Sequence, residues 1–325
     1  MHRNVEFRLT PGDLSAIRFG ISPGHELAHA VRVLGRPEYH PLHWGWVRRS
    51  RHDVPSRALG LLRLLVGPDG YVPDFLTSTP GWDLDPDEEV ERLRETALEP
   101  MRVDLLKRVA RTSGAEQRLL QALADDLVGT RAAVADAWQQ VWDAVLAPYW
   151  LQLERLLRAD VGTRSRRTTT HGLGAMVDTL HEAVTWGTDA VHVRLRLHGE
   201  VLDCAGSGLV LAPSVMAPRC AVVTEPPAQP TLFYPALGIS ERWADEPTGT
   251  PDALAGVLGA GRAGVLLALR APLSTSEVAA AEGLAISTAS HHLSRLRAAR
   301  LVDSHREGAR VVHVRTPLGE ALVGG

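Results

Sequence analysis

Apolar residues near the start of the chain predict one short strand followed by a run of helices. Val5, Phe7 and Leu9 alternate with polar residues, which is typical of a half-buried strand. Apolar positions then recur at helical spacing. On this pattern we expect helices near residues 25–34, 56–65, 101–111, 115–127 and 131–158.

Two local signals set a start and a bend among these helices. Asp85 and Pro86, with Glu88 three residues after Asp85, combine an N-cap, a proline at the first helical position and a capping glutamate. They predict a further helix. Pro148 interrupts the longest helical pattern, and because proline lacks an N–H and clashes with the preceding turn, we expect a bend there.

After a helix predicted near 173–185 the apolar period changes to two. Val191, Val193 and Leu195 alternate with polar residues. Short apolar runs follow at 201–204, 208–211, 220–224 and 231–234, separated by glycine or proline. This pattern predicts a small antiparallel β meander beside the helices. The fold class is therefore expected to be α+β.

A change of composition predicts where the chain divides. Residues 246–251 contain two prolines, a glycine and small polar residues, and they have no apolar period. We take this segment as a linker between an effector or assembly domain at 1–245 and a second domain at 252–325. Two domains also agree with the length of 325 residues.

The last 75 or so residues predict a winged helix-turn-helix. Two short helices should precede a third over 275–282, for which Ser274 and Glu277 form a capping box and Gly283 supplies a left-handed stop. A second, recognition helix is expected over 287–300. A β-hairpin should follow, and a short helix after Thr316.

The predicted recognition helix exposes groups that read base edges and hold phosphates in a major groove. They are Ser287, Thr288, Ser290, His291, Ser294 and Arg295. Arg306 and Arg310 fall at the tip of the hairpin, within reach of the DNA backbone or minor groove. Thr275 and Ser276, at the start of the capped helix, complete the candidate DNA contacts.

Charge supports this assignment locally and not globally. The chain carries a formal charge of −3. Between residues 287 and 315, six arginines face two acids, so this stretch is +4 and the remainder is −7. Because the local field decides whether a surface attracts phosphate, a basic stretch of this kind favours nucleic acid.

Composition excludes several classes of protein. The hydrophobic fraction of 45% is enough for a core, which excludes a mainly disordered chain. No apolar run is long enough to span a membrane, the N-terminus lacks an export signal, and there are only two cysteines. We therefore expect a cytoplasmic protein with no membrane partner.

Residues 252–322, approximately, resemble the ArsR-type family of bacterial transcriptional regulators, and residues 273–315 resemble that family's DNA-reading unit. The resemblance is carried by LSTSEVAAAEGLAISTASHHLSRLRAARLVDSHREGARVVHVR and above all by Ser290-His291-His292-Leu293. It implies that Ser287, Thr288, Ser290, His291 and Arg295 face DNA. It also implies a homodimer formed through the helices that flank the unit.

The chain departs from that family at three points. Ala285 stands where a capping serine is common, and Glu277-Val278-Ala279-Ala280 replaces the cysteine pair of many metal-sensing members. The terminal helix also lacks the spaced histidine and acidic ligands of the family's zinc sensors. We therefore expect no metal and no cofactor. The region before the linker resembles the uncharacterised domain that precedes such units in many actinobacterial regulators. The resemblance implies that this domain occurs together with a DNA-reading unit, and it implies no mechanism for the domain.

Three patterns compete with this interpretation. His25-Glu26-Leu27-Ala28-His29 matches HExxH and would make the protein a zinc-dependent hydrolase with an appended winged helix. Both histidines lie off the apolar stripe of their helix, so we expect them to be solvated. Gly259, Gly261 and Gly264 match GxGxxG, but a helix precedes them, so a helix–helix turn is expected. Trp138 and Trp142 lie one helical turn apart and predict core packing rather than a ligand pocket.

We thus expect a sequence-specific transcriptional regulator with no catalytic residues, acting as a repressor and a homodimer on a double-stranded DNA operator. The N-terminal domain would sense a signal such as a small-molecule effector. The alternatives are the zinc hydrolase and a winged helix that binds protein instead of DNA.

Overall fold

The computed structural model describes residues 3–67, 71–77, 79–83, 85–196, 198–224, 229–240, 243–244, 251–269, 272–307 and 310–323. The chain divides into two compact units, Met1–Ala244 and Asp245–Gly325. The predicted linker lies outside the described residues, except for Pro251, which begins a helix instead.

The N-terminal unit is mainly helical. Its helices are α1 (Pro11–Ser15), α2 (Pro23–Gly35), α3 (Trp44–Ser50), α4 (Ser56–Val66), α5 (Pro86–Glu95), α6 (Leu98–Ala110), α7 (Gly114–Asp125), α8 (Leu127–Val145), α9 (Trp150–His171) and α10 (Leu173–Val177). Asp85 caps α5 as predicted, because its side chain accepts a hydrogen bond from the backbone N–H of Asp87 at 2.9 Å.

Two helix predictions are wrong in extent. The single helix expected over 131–158 is two helices, because Pro148 lies in a 3-10 turn, Ala147–Tyr149, that separates α8 from α9. The helix expected over 173–185 ends at Val177. Beyond it, the Asp178 carboxylate accepts a hydrogen bond from the backbone N–H of Trp186. This bond gives that N–H an alternative to the backbone hydrogen bond that a longer helix would provide.

The strands of this unit form two four-stranded sheets instead of an antiparallel meander. The strands are β1 (Arg3–Arg8), β2 (Arg18–Phe19), β3 (Val184–Trp186), β4 (Ala190–Leu195), β5 (Glu200–Asp203), β6 (Val210–Ser214), β7 (Ala221–Val223) and β8 (Thr231–Pro235). One sheet has the order β3-β4-β1-β5 and the other β2-β6-β8-β7. β1 runs parallel to β5, and β6 runs parallel to both β2 and β8. Every residue of β6 is buried, which is typical of a central strand with parallel neighbours.

Helix α2, which carries the HExxH pattern, is buried on nearly all sides. It packs against α4 and α5, and its residues also contact the chain around β6 and β8. His25 is 4% exposed and stacks on the ring of Phe233 with the ring centroids 3.6 Å apart. The expectation that His25 and His29 are solvated is therefore wrong, since an apolar stripe marks only one of the faces that a surrounded helix buries.

Glu26 joins α2 to the residues that follow β6. Its carboxylate accepts hydrogen bonds from the backbone N–H groups of Val215, at 3.1 Å, and of Met216, at 2.9 Å. Burial raises the pKa of Glu26 to about 7, although these bonds and one to Ser214 favour the charged form. A buried acceptor that satisfies two backbone donors has a structural role.

Replacing Glu26 by alanine should therefore destabilise the N-terminal unit. The change removes both carboxyl oxygens and leaves the buried N–H groups of Val215 and Met216 without their acceptor, at a cost of about 1–3 kcal/mol for each. Urea unfolding near pH 6, where the buried carboxyl is largely uncharged, measures the change, with the exposed Glu95→Ala as the matched control. Equal midpoints for the wild type and Glu26→Ala would contradict this role.

The C-terminal unit has the predicted helices and hairpin in the predicted order, together with one short strand, Leu273–Ser274, that was not predicted. The elements are α11 (Pro251–Leu258), α12 (Ala260–Ala268), β9 (Leu273–Ser274), α13 (Thr275–Ala281), α14 (Ile286–Ala298), β10 (Val302–Glu307), β11 (Arg310–Arg315) and α15 (Pro317–Val323). The three strands form a sheet in the order β10-β11-β9. The core includes Val265, Leu266 and Val278, all fully buried. The mixed α+β class is thus confirmed, with a helix-turn-helix in this unit. Within the described residues, no helix combines the length and apolarity needed to cross a bilayer.

Candidate nucleic-acid interface

The capping box predicted for α13 is present. The Ser274 side chain accepts a hydrogen bond from the Glu277 N–H, and the Glu277 carboxylate accepts one from the Ser274 N–H at 2.7 Å. Gly283 follows with φ +63°, the left-handed conformation that glycine adopts without strain. The cap fixes where α13 begins and the glycine fixes where it ends, so together they set the turn that leads into α14.

Helix α14 buries one face and exposes the other. Ala289, Leu293 and Leu296 are between 0% and 3% exposed and pack into the core of the unit. The predicted DNA contacts on this helix are all exposed: Ser287, Thr288, Ser290, His291, Ser294 and Arg295. The structure therefore places these hydroxyl, imidazole and guanidinium groups together on the solvent side of one helix.

The two candidates on α13 differ in exposure. Ser276 is exposed. Thr275 is half-buried, and its Oγ1 lies 3.0 Å from Nε2 of His313 on β11. The other nitrogen of that ring, Nδ1, lies 2.7 Å from the hydroxyl of Ser304 on β10. The Thr275 hydroxyl thus links α13 to the hairpin within the protein, a contact that the sequence pattern did not predict.

The hairpin places both predicted arginines on exposed positions. Arg306 pairs with Val311 across the two strands, and Arg310 pairs with Glu307. Residues 308 and 309, at the turn itself, lie outside the described residues. Hydrogen bonds from Ser274 lower the pKa of Glu277, and the positive charge of Arg310 adds to the effect. The charge of Arg310 therefore acts at the start of α13.

A cleft beside α14 contains residues that were not among the predicted contacts. It has a volume of about 360 Å³ and is lined by Gly259, Ala260, Gly261, Arg262, His291, His292 and Arg295. Gly259 has φ +84° and forms the turn between α11 and α12, so the expected helix–helix turn is confirmed. Glycine at 261 allows a close approach, because a Cβ there would lie 2.6 Å from Nε2 of His292. The glycine spacing was the sequence signal for this contact, but the spacing alone does not identify the partner helix.

The start of α14 lacks a side-chain cap. Ala285 occupies the N-cap with extended backbone, φ −64° and ψ 145°, and no side chain within the described ranges accepts a hydrogen bond from the free N–H groups. Ala285→Ser should stabilise the C-terminal unit by about 1 kcal/mol, because serine satisfies one of those N–H groups.

Ser274→Ala, which removes the existing cap of α13, should destabilise the unit by a similar amount. Thermal unfolding of the two variants measures both changes, and a stability shift of the same sign in both would contradict the assignment.

The HExxH residues do not form a comparable site. Glu26 is turned toward the backbone of Val215 and Met216, and His25 is stacked on Phe233. Within the described residues, no group of three or more histidine, cysteine or acidic side chains could hold a metal ion. The zinc hydrolase therefore gains no support.

The tryptophan pair of α8 lies in the core, as the spacing predicted. Trp138 and Trp142 are 2% and 4% exposed, and their rings stack with centroids 5.1 Å apart. Trp150 meets Trp142 edge-on at 5.0 Å. These rings fill space between helices, so they contribute packing to the N-terminal unit.

Comparison with known proteins finds two families along the chain. Residues 262–305 match a family described as a helix-turn-helix domain, and residues 82–239 match a family of unknown function, DUF5937. No curated protein and no solved structure gives a match. The first match covers α12 to α14 and most of β10, which include the exposed face described above. It supports a DNA-binding regulator without assigning that regulator to the ArsR-type family.

Proposed function

We propose that this protein is an ArsR-type transcriptional repressor that binds a double-stranded DNA operator as a homodimer. In this proposal α14 enters the major groove, with Ser287, Thr288, Ser290, His291 and Ser294 near the bases. The hairpin arginines, Arg306 and Arg310, contact the backbone or the adjacent minor groove.

One observation carries the proposal. On the helix that follows the turn, the exposed positions from residue 287 to residue 295 carry short donors and cationic groups and no large apolar side chain. Such a face suits the polar edges of bases. A protein-binding winged helix would instead need apolar side chains at the centre of the contact.

The flanking helices support the homodimer. Val257 on α11 is 79% exposed, and Leu318 and Leu322 on α15 are 56% and 37% exposed. Apolar side chains exposed on both flanking helices would be covered in a two-fold dimer, which presents two α14 helices to successive turns of DNA. We infer that the N-terminal unit senses a small molecule and changes the spacing of these helices, which alters affinity for the operator.

Recovery of the DNA bound by this protein across its genome tests the proposal. We expect a small set of sites that share an inverted repeat, with half-site centres separated by about one helical turn of 10–10.5 base pairs. Sedimentation of the purified full chain should give the mass of a dimer. Random recovery of DNA, or a monomer at concentrations that saturate DNA, would contradict the proposal.

A further inference from the structure

The cleft between α12 and α14 has the charge of an anion site. Two of its seven lining residues are arginines, two are histidines, and none is acidic. Neither Arg262 nor Arg295 makes an ion pair with any residue that the structure describes. Arginines that face a concave surface without a carboxylate partner are poised for an external anion.

The cleft is continuous with the proposed DNA-binding face. His291 and Arg295 belong to the exposed face of α14 and also line the cleft. They are four residues apart, about one helical turn, so both point to the same side of the helix. A group held in the cleft therefore lies beside whatever α14 contacts.

The opposite wall of the cleft comes from the start of α12. Packing of His292 against Gly261 holds the two helices close together at this point. The Arg262 guanidinium folds back toward the turn, where one of its nitrogens lies 3.1 Å from the position that a Cβ on Gly259 would take. The two guanidinium groups thus approach the cleft from separate helices. Nδ1 of His292 is buried, has no hydrogen-bond partner among the residues that the structure describes, and adds a polar group at the wall.

We infer that this cleft binds a backbone phosphate of the DNA whose major groove receives α14, with Arg262 and Arg295 holding the phosphate oxygens. The inference rests on the proposed function and assigns Arg295 to the phosphate rather than to a guanine edge. The charge of the cleft, its position at the edge of the α14 face and the fork geometry of arginine all fit a phosphodiester. It also gives the glycine-rich turn a role, since glycine at 261 allows the two helices to come this close.

The test is the salt dependence of DNA binding by the full chain. Arg262→Gln and Arg295→Gln should each weaken binding to a random-sequence 30-base-pair duplex, a length of about three helical turns. Each should also reduce the slope of log K against log salt by about 0.9 for every phosphate that the variant no longer neutralises. In a dimer two phosphates are affected, so the reduction doubles. Selectivity between an operator and a scrambled duplex should stay within about twofold of the wild type, because a phosphate contact does not distinguish bases.

Arg300→Gln is the matched control, since Arg300 is an exposed arginine of the same unit that does not line the cleft. It should leave the slope unchanged. If the wild type does not bind DNA, the proposed function fails. If the wild type binds and Arg262→Gln keeps its full slope, only the phosphate site is overturned, and a cleft that binds a free anion instead of DNA would give that same result. A loss of selectivity in Arg295→Gln would indicate that Arg295 contacts base edges instead of a phosphate.

Discussion

Lowering the pH from about 7.5 to about 5 should destabilise the N-terminal unit by about 4 kcal/mol, because it buries neutral histidines. Burial lowers the pKa of His25 to about 3 and that of His43 to about 4, and burial also lowers the pKa of His29 well below its usual value. Below pH 6.5 the unfolded chain binds protons at these positions while the folded chain excludes them. The stabilisation contributed by these neutral histidines is therefore full above about pH 6.5. It decreases as the pH falls toward the folded pKa values, by about 1.4 kcal/mol per histidine and pH unit.

Glu26 acts in the opposite direction. Its pKa is raised to about 7, mainly by burial, so the folded state takes up a proton before the unfolded state does. Its contribution to the free energy of unfolding increases as the pH falls from about 7 toward 4.5, the pKa of the unfolded chain. This increase is about equal to the loss that one histidine causes over the same range. The net loss is then about 3 kcal/mol per pH unit, which is large against a typical domain stability of about 5–15 kcal/mol.

Urea unfolding followed by tryptophan fluorescence at several pH values measures this effect, because all eight tryptophans precede residue 244. His29→Leu should flatten the pH dependence, since leucine cannot titrate and the described part of the chain offers the buried Nε2 of His29 no hydrogen-bond partner that the change would remove. His52→Leu, at an exposed position, is the control and should retain the slope of the wild type. A His29→Leu slope equal to that of the wild type would refute the assignment of acid sensitivity to this residue.

The second prediction separates base recognition from backbone contact. His291→Ala should lower the preference for the operator over other DNA by about 1–3 kcal/mol per half-site and leave the salt slope nearly unchanged, because an imidazole on the centre of the α14 face reaches base edges. Arg310→Ala should do the reverse: affinity for every sequence falls alike, and the salt slope decreases by about 0.9 per phosphate. In a dimer both effects are doubled.

Titration of operator and scrambled duplexes at several salt concentrations measures selectivity and slope together. Arg300→Ala is the control, because Arg300 is an exposed arginine that belongs neither to the candidate face of α14 nor to the hairpin, and it should leave selectivity and slope unchanged. If both His291→Ala and Arg310→Ala bind with unchanged affinity and selectivity, this face does not contact DNA. The winged helix would then be better explained as a protein-binding module.

Local signals in the sequence predicted the C-terminal unit well. Ser274 with Glu277, the left-handed Gly283 and the buried face of Leu293 all act within one or two helical turns, so the pattern of neighbouring residues determines them. The candidate face of α14 follows directly from that periodicity. Whether its residues contact DNA stays a prediction.

Contacts between distant segments were not predictable in the same way. The insertion of β1 between β4 and β5 depends on pairing residues nearly 200 positions apart, as in Val5 with Val193. The burial of His25 depends on Phe233, and the cleft depends on Gly261 meeting His292. In each case the local pattern predicted the helix or strand, but the residues that it contacts lie in a distant part of the sequence.

Competition between specific and scrambled DNA decides whether α14 recognises a base sequence. The full chain is titrated, at one fixed salt concentration, with the sequence recovered from its genome and with a scrambled duplex of the same composition. If α14 reads base edges, the recovered sequence should bind at least about 10³-fold more tightly. Equal affinity for the two duplexes, or no binding to either, would contradict sequence-specific regulation by this protein.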